Sequence, residues 1–229
     1  MQTREWYNAV DKSEWLDGPW KSEPDKMQWL DEATRLPCLI VRGPSGALCG
    51  YVGVAASHPL AGKSYSNCVK GCGEDYCEHR VENLLEAHGG ITFAHACASH
   101  SVEDMFTQRE HVAKMEQEAR RYPKGDSARW LARWRDSGAL DNYARYSEVC
   151  EATSICHVPS PGEPDNVWWF GFDCAHAGDY IPGAQHYLPT HLRDTLGAPT
   201  GWSTVVEYRD IAYVKRECES LARQLKALG

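Results

Sequence analysis

The sequence predicts an α+β fold, a mainly antiparallel sheet packed by a long C-terminal helix and carrying a helical insertion. Three observations lead there. Two apolar runs, 37–42 and 47–54, flank the turn residues Gly43, Pro44, Ser45 and Gly46, which is the pattern of a β-hairpin. Two later strand-like segments, 91–94 and 167–172, stand isolated, without the βαβ alternation and short loops of a parallel sheet. Finally, Ile211, Val214, Cys218, Leu221, Leu225 and Leu228 recur at spacings of three and four, so 208–228 reads as an amphipathic helix that closes the domain.

In chain order, residues 1–36 form a polar N-terminal arm whose Trp6, Trp15, Trp20 and Trp29 tack it to the body. Within it, Pro24 followed by residues 25–33 suits the first turn of a short helix. After the hairpin, residues 55–78 are rich in Gly, Ser, His and Cys without periodicity, a loop held by something other than a core. Val81, Leu84, Leu85 and His88 then share one helical face, and Gly89-Gly90 supplies a stop before the strand 91–94. The charged stretch 101–150 carries helical stripes such as Val102, Met105, Phe106 and Val112, and reads as a helical insertion. The run 167–172 is the most apolar in the chain and aromatic enough for a central strand.

At 229 residues the chain suits one domain, 1–229, with the insertion inside it. Its 42% hydrophobic and 24% charged residues exclude a disordered or fibrous chain. A formal charge of -8 repels a phosphate backbone, so no nucleic-acid partner is expected. No apolar run approaches the roughly 18–20 residues that span a bilayer, and the first residues lack a signal peptide's apolar stretch. The expectation is a cytoplasmic protein with no membrane partner. The 10 cysteines fall below the density of a disulfide scaffold, so in a reducing compartment their thiols are buried, metal-bound or reactive.

Two constellations carry chemistry. Cys68, Cys72, Cys77 and His79 place four soft donors in a loop without core residues, which predicts one structural tetrahedral zinc in place of that core. The plainer alternative is four separate side chains on a flexible loop. The second is Trp168-Trp-Phe-Gly-Phe-Asp173-Cys-Ala-His176-Ala-Gly-Asp179, where an apolar strand ends on two carboxylates, a thiol and an imidazole. Asp173 can orient His176, which leaves a ring nitrogen for a ligand, proton or metal, and Gly178 permits a turn that returns Asp179 to the same place. The alternative here is an Asp-capped turn over a satisfied His. His88 packs in the core or faces a cleft beside its paired glycines, and His58, before Pro59, belongs to a surface turn or faces that cleft. Cys156-His157 offers a nucleophile and base or metal ligands, only one of which faces a given site. No phosphate loop, dinucleotide fingerprint, metalloprotease motif or nucleophile elbow is present.

Several blocks together, 36–42, 48–54, His58-Pro59, 88–93, 168–179 and 208–214, resemble a family of uncharacterised proteins encoded by phages and prophages. The resemblance covers about half of the chain and leaves out 101–150. It implies a shared site among His58, His88, Asp173, His176 and Asp179, and a protein that acts on host metabolism or host defence by binding or modifying a molecule. The leading expectation is an accessory protein that binds a small polar, nucleotide-like ligand through His58, His88, Trp168, His176 and Asp179. The alternatives are a metal-assisted hydrolase or transferase using His176 and Asp173, and a protein interaction module docking through 101–150.

Overall fold

The computed structural model describes residues 1–70, 78–96, 115–125, 127–129, 131–132, 154–160, 166–187 and 206–229. The chain divides into two compact units, Met1–Cys97 with Ile155–Gly229, and Ala98–Ser154. In the second unit the described stretches 115–121, 127–129 and 131–132 are helical, with Met115 and Leu131 buried. Residues 122–125 form a turn, and the rest of 101–150 lies outside the described residues.

The first unit is α+β. Its strands are β1 (Arg4–Trp6), β2 (Lys26–Leu30), β3 (Pro37–Arg42), β4 (Leu48–Ala55), β5 (Phe93–Ala96) and β6 (Val167–Asp173). They form one sheet in the order β1-β2-β3-β4-β6-β5, antiparallel throughout. β3 and β4 are the expected hairpin, with Cys38 opposite Val52 and Arg42 opposite Leu48.

Residues 26–30, expected as part of a helix, are a strand inside the sheet. The reason is polar burial. Lys26 and Gln28 are fully buried, with Lys26 Nζ donating to the Cys156 carbonyl at 2.7 Å and Gln28 exchanging hydrogen bonds with the Val158 backbone at 3.1 and 2.8 Å. Such partnered polar side chains hide the apolar alternation by which a strand is recognised. The helix expected over 78–88 is one turn, Val81–Leu84, because Leu85 is already extended.

The C-terminal helix, Ile211–Leu228, packs on β3 and β4. Its buried stripe, Val214, Cys218, Leu221, Ala222 and Leu225, joins Ile40, Val52, Val54, Phe170 and Phe172 in one core. Gly50 allows the approach: a Cβ there would lie 2.4 Å from Phe172 and 2.8 Å from the Cys218 sulfur. The opposite face buries Leu39, Val41, Tyr51, Val167 and Trp169, so both faces of the central strands are covered. That two-sided burial explains the continuous apolar runs.

The start of this helix is tied to the arm. Asp210 caps it, accepting from the Tyr213 amide at 2.7 Å, and Glu23 accepts from the Ile211 amide at 3.3 Å. Glu23 also takes the Arg42 guanidinium at 2.9 Å and the Tyr208 hydroxyl, while Asp25 takes Arg42 Nε at 3.1 Å. Trp20 lies against Tyr180 and Tyr208, with ring centroids 5.1 and 5.0 Å apart. Among the described residues no helix is long and apolar enough to cross a membrane.

Candidate functional site

The sheet brings two loops together at one end. β6 stops at Asp173 opposite Cys49, and the chain turns through Gly178, whose φ of 99° is open to glycine, so that His176 and Asp179 close on each other. The His176 amide donates to Asp179 Oδ2 at 3.0 Å and the Asp179 amide to the His176 carbonyl at 3.0 Å. The neighbouring strand starts just after His88, Gly89 and Gly90, and the Thr92 amide donates to the Gly171 carbonyl at 2.9 Å. Gly89 (φ 66°) permits the contact, since a Cβ there would lie 2.0 Å from the His176 ring. The segment around Glu207 seals the turn, with the Tyr180 amide donating to the Glu207 carbonyl and the Glu207 amide to the Gly178 carbonyl.

Asp179 is the hub. Its side chain is buried; Oδ2 lies 2.8 Å from His88 Nε2, and Oδ1 accepts from Arg209 Nε at 3.0 Å. Burial pushes its carboxyl up, but the hydrogen bonds from His88, Arg209 and the His176 amide outweigh that and hold it below the usual carboxylate range. Both ring nitrogens and the amide of His88 are engaged: Nδ1 lies 2.9 Å from the Tyr213 hydroxyl, and the amide donates to Glu217 at 3.0 Å. The His88 and His176 rings meet edge to face at 5.6 Å.

Asp173 does not hydrogen-bond His176, as the sequence suggested. It is 3.7 Å from His176 Nδ1, and its oxygens accept instead from the Thr92 hydroxyl at 3.0 Å and the Ala175 amide at 3.1 Å. His176 Nδ1, buried, has no hydrogen-bond partner. His88, His176 and Asp179 offer one donor atom each, all within 4.8 Å of one another, so they can hold a metal ion.

Four of the expected site residues, His88, Asp173, His176 and Asp179, are therefore together, and two are not. His58 is placed at the far end of the C-terminal helix, with Nε2 on the Leu225 carbonyl at 3.0 Å and Nδ1 accepting from the Leu60 amide at 3.1 Å. Both ring nitrogens serve backbone groups, so it has none left for a ligand. Trp168 sits near the start of β6, roughly 17 Å of extended chain from Asp173. It packs on the helix-side core and stacks with His95 at 5.7 Å.

Of the predicted zinc ligands, Cys72 and Cys77 lie outside the described residues. Cys68, in no disulfide, pairs across from Arg80, and the Val69 amide donates to the His79 carbonyl at 2.9 Å, so the two ends of that segment run side by side. Cys156 is disulfide-bonded and offers no thiolate, while His157 is buried against Trp169.

Sequence reasoning missed Arg209, Tyr213, Glu217 and Thr92. The helix residues carried one signal: Tyr213 and Glu217 are spaced i, i+4 beside the apolar stripe and share a face. Compared with known proteins, the chain matches no family model, no curated protein and no solved structure.

Proposed function

We propose that this chain binds a small polar ligand at the His88, His176 and Asp179 centre and acts on it as a metal-assisted hydrolase or transferase. The observation that carries the reading is His176 Nδ1, buried and unpartnered, 3.8 Å from Asp179 Oδ2. A buried polar atom left without a bond costs about 1–3 kcal/mol. The separation is too long for a hydrogen bond and close to that of co-ligands, since two atoms about 2.1 Å from one ion at tetrahedral angles stand roughly 3.4 Å apart. His88 Nε2, 2.8 Å from the same Asp179 oxygen, is near the spacing for a narrower ligand angle.

Three protein ligands leave positions open for water or substrate, and a divalent ion there supplies a more acidic water and a polarised substrate oxygen. Asp173, held by Thr92 and Ala175 beside the centre, is positioned to accept a proton. The likeness of these blocks to phage-encoded proteins suggests a substrate from host metabolism or defence.

The test is incubation of metal-loaded protein and of His176→Ala with a pool of nucleotides and cyclic nucleotides, then heat release and chromatography. Turnover lost in His176→Ala supports the enzyme. Stoichiometric recovery of an unchanged nucleotide, also lost in that variant, supports capture without chemistry. Identical metal content in both proteins, with nothing retained or converted, overturns the reading.

A further inference from the structure

We infer that Tyr213 is the positioning residue of this centre, its hydroxyl serving both tautomers of His88 so that the ring can exchange its bond to Asp179 for a bond to a metal. The inference rests on the metal reading above.

Asp179 is ionised and can only accept, so with Nε2 at 2.8 Å from its oxygen the Nε2 atom of His88 carries a proton. In the neutral ring Nδ1 is then a lone pair, and the Tyr213 hydroxyl at 2.9 Å donates to it. A metal on Nε2 needs the lone pair there, which puts the ring proton on Nδ1, and the same hydroxyl now accepts. Nε2 gives its proton to solvent as Nδ1 takes one, so the ring's proton count is unchanged. A hydroxyl rotates to suit either state, whereas a carboxylate in its place would accept only and an ammonium would donate only. Metal-bound histidines are oriented by such a bond to their other nitrogen.

Tyr213 is built to stay where it is. Its amide is fixed on Asp210, and its ring lies edge-on to His88 at 5.5 Å. The guanidiniums of Arg209 and Arg216 lie 4.8 and 5.8 Å from the ring centre. One turn on, Glu217 takes the His88 amide, so the first two turns of the C-terminal helix hold His88 by ring and backbone together. His58, against the other end of the same helix, is bonded to a carbonyl on one nitrogen and an amide on the other, which admits one tautomer alone.

The experiment has two parts. Co2+ and Zn2+ titrations compare the full chain, Tyr213→Phe and His176→Ala; thiolate charge-transfer absorption of Co2+ separates any ion on cysteines from one on His and Asp. Nitrogen-15 NMR of the His88 ring reads the tautomer in metal-free and zinc-loaded wild type. We expect Tyr213→Phe to lose roughly 10–100-fold in metal affinity, as removal of such a partner does. We expect the ring proton on Nε2 without metal and on Nδ1 with it. Tyr213→Phe binding as tightly as wild type, or a proton on Nε2 in both states, overturns the inference while leaving the metal reading intact. Wild type binding no better than His176→Ala overturns the metal reading itself; the metal-free spectrum still decides the Tyr213 bond, since a proton on Nδ1 there would refute it.

Discussion

The two ends of the C-terminal helix each hold a histidine, and the two differ in what they are bonded to. At the Leu225 end, His58 joins a loop amide to a helix carbonyl, groups that neither ionise nor leave. At the Tyr213 end, His88 bridges a hydroxyl and a carboxylate, beside a second imidazole with a buried bare nitrogen. A histidine tied to backbone is a fastener. One tied to a hydroxyl and a carboxylate can change its bonds when those groups turn or ionise, and sequence position alone does not separate the cases.

The largest test of this contrast is at the anchor of the helix start. Arg42 is buried and pairs with the buried Asp25 and the partly buried Glu23, and Glu23 in turn accepts from the Ile211 amide at the helix start. Arg42→Met leaves two carboxylates short of their partner and is expected to cost about 3–5 kcal/mol in denaturant unfolding. A loss below about 1 kcal/mol would mean that Lys12, 2.5 Å from Asp25, suffices.

Gly89 and Gly90 give the next test. Both have positive φ, 66° and 92°, but a Cβ meets the His176 ring at Gly89 and nothing within 4 Å at Gly90. Gly90→Ala should cost about 1–2 kcal/mol from backbone strain alone. Gly89→Ala should cost more, about 2–4 kcal/mol, and displace His176 so that metal binding is lost. Equal melting temperatures and equal metal affinity for the two variants would show that the His176 contact is unimportant.

Exchanging the histidines themselves sharpens the comparison. His58→Ala removes two hydrogen bonds to backbone and should lower stability by about 1–3 kcal/mol with metal affinity unchanged. His88→Ala should abolish metal binding measured by calorimetry. If His58→Ala weakens binding as much as His88→Ala, the helix ends are not independent and the assignment of roles fails.

Much of the sheet was legible because its central strands obey pattern: β3, β4 and β6 are apolar runs bounded by turn residues, and the helix repeats at three and four. β2 was hidden, since Lys26 and Gln28 point inward and are satisfied by chain 130 residues away in Cys156 and Val158. The loop 173–179 showed itself by a sudden run of polar atoms after an apolar strand. His88 was legible only as a candidate, because its partner Asp179 is 91 residues distant. Trp168 misled for a physical reason: it shares a strand with Asp173, but a strand separates its residues by about 3.3 Å each, so nearness in sequence is distance in space. Tyr213 and Arg209 belong to a helix start whose polar face acquires meaning only when the sheet end docks against it.

The smallest expected effect lies at the strand pair beneath the site, where Cys49 stands opposite Asp173. Burial pushes the Cys49 thiol up to about 11; a hydrogen bond with Tyr51 opposes this and the charge of Asp173 adds to it. The folded chain therefore keeps a proton that the unfolded chain releases above about pH 8.5–9. In that window the unfolded state binds fewer protons, so stability from this group is complete below pH 8.5 and falls as pH rises toward 11. At pH 10 the loss is about 1–2 kcal/mol, and Cys49→Ala should flatten that part of the alkaline unfolding curve. Asp173→Asn removes one of the contributions that raise the thiol pKa and should bring alkylation of Cys49 to a lower pH without changing the melting temperature by more than about 2–4 °C. Alkylation of Cys49 with the pH dependence of an ordinary exposed thiol would show that burial does not raise this thiol, and the expected alkaline loss of stability would not be its doing.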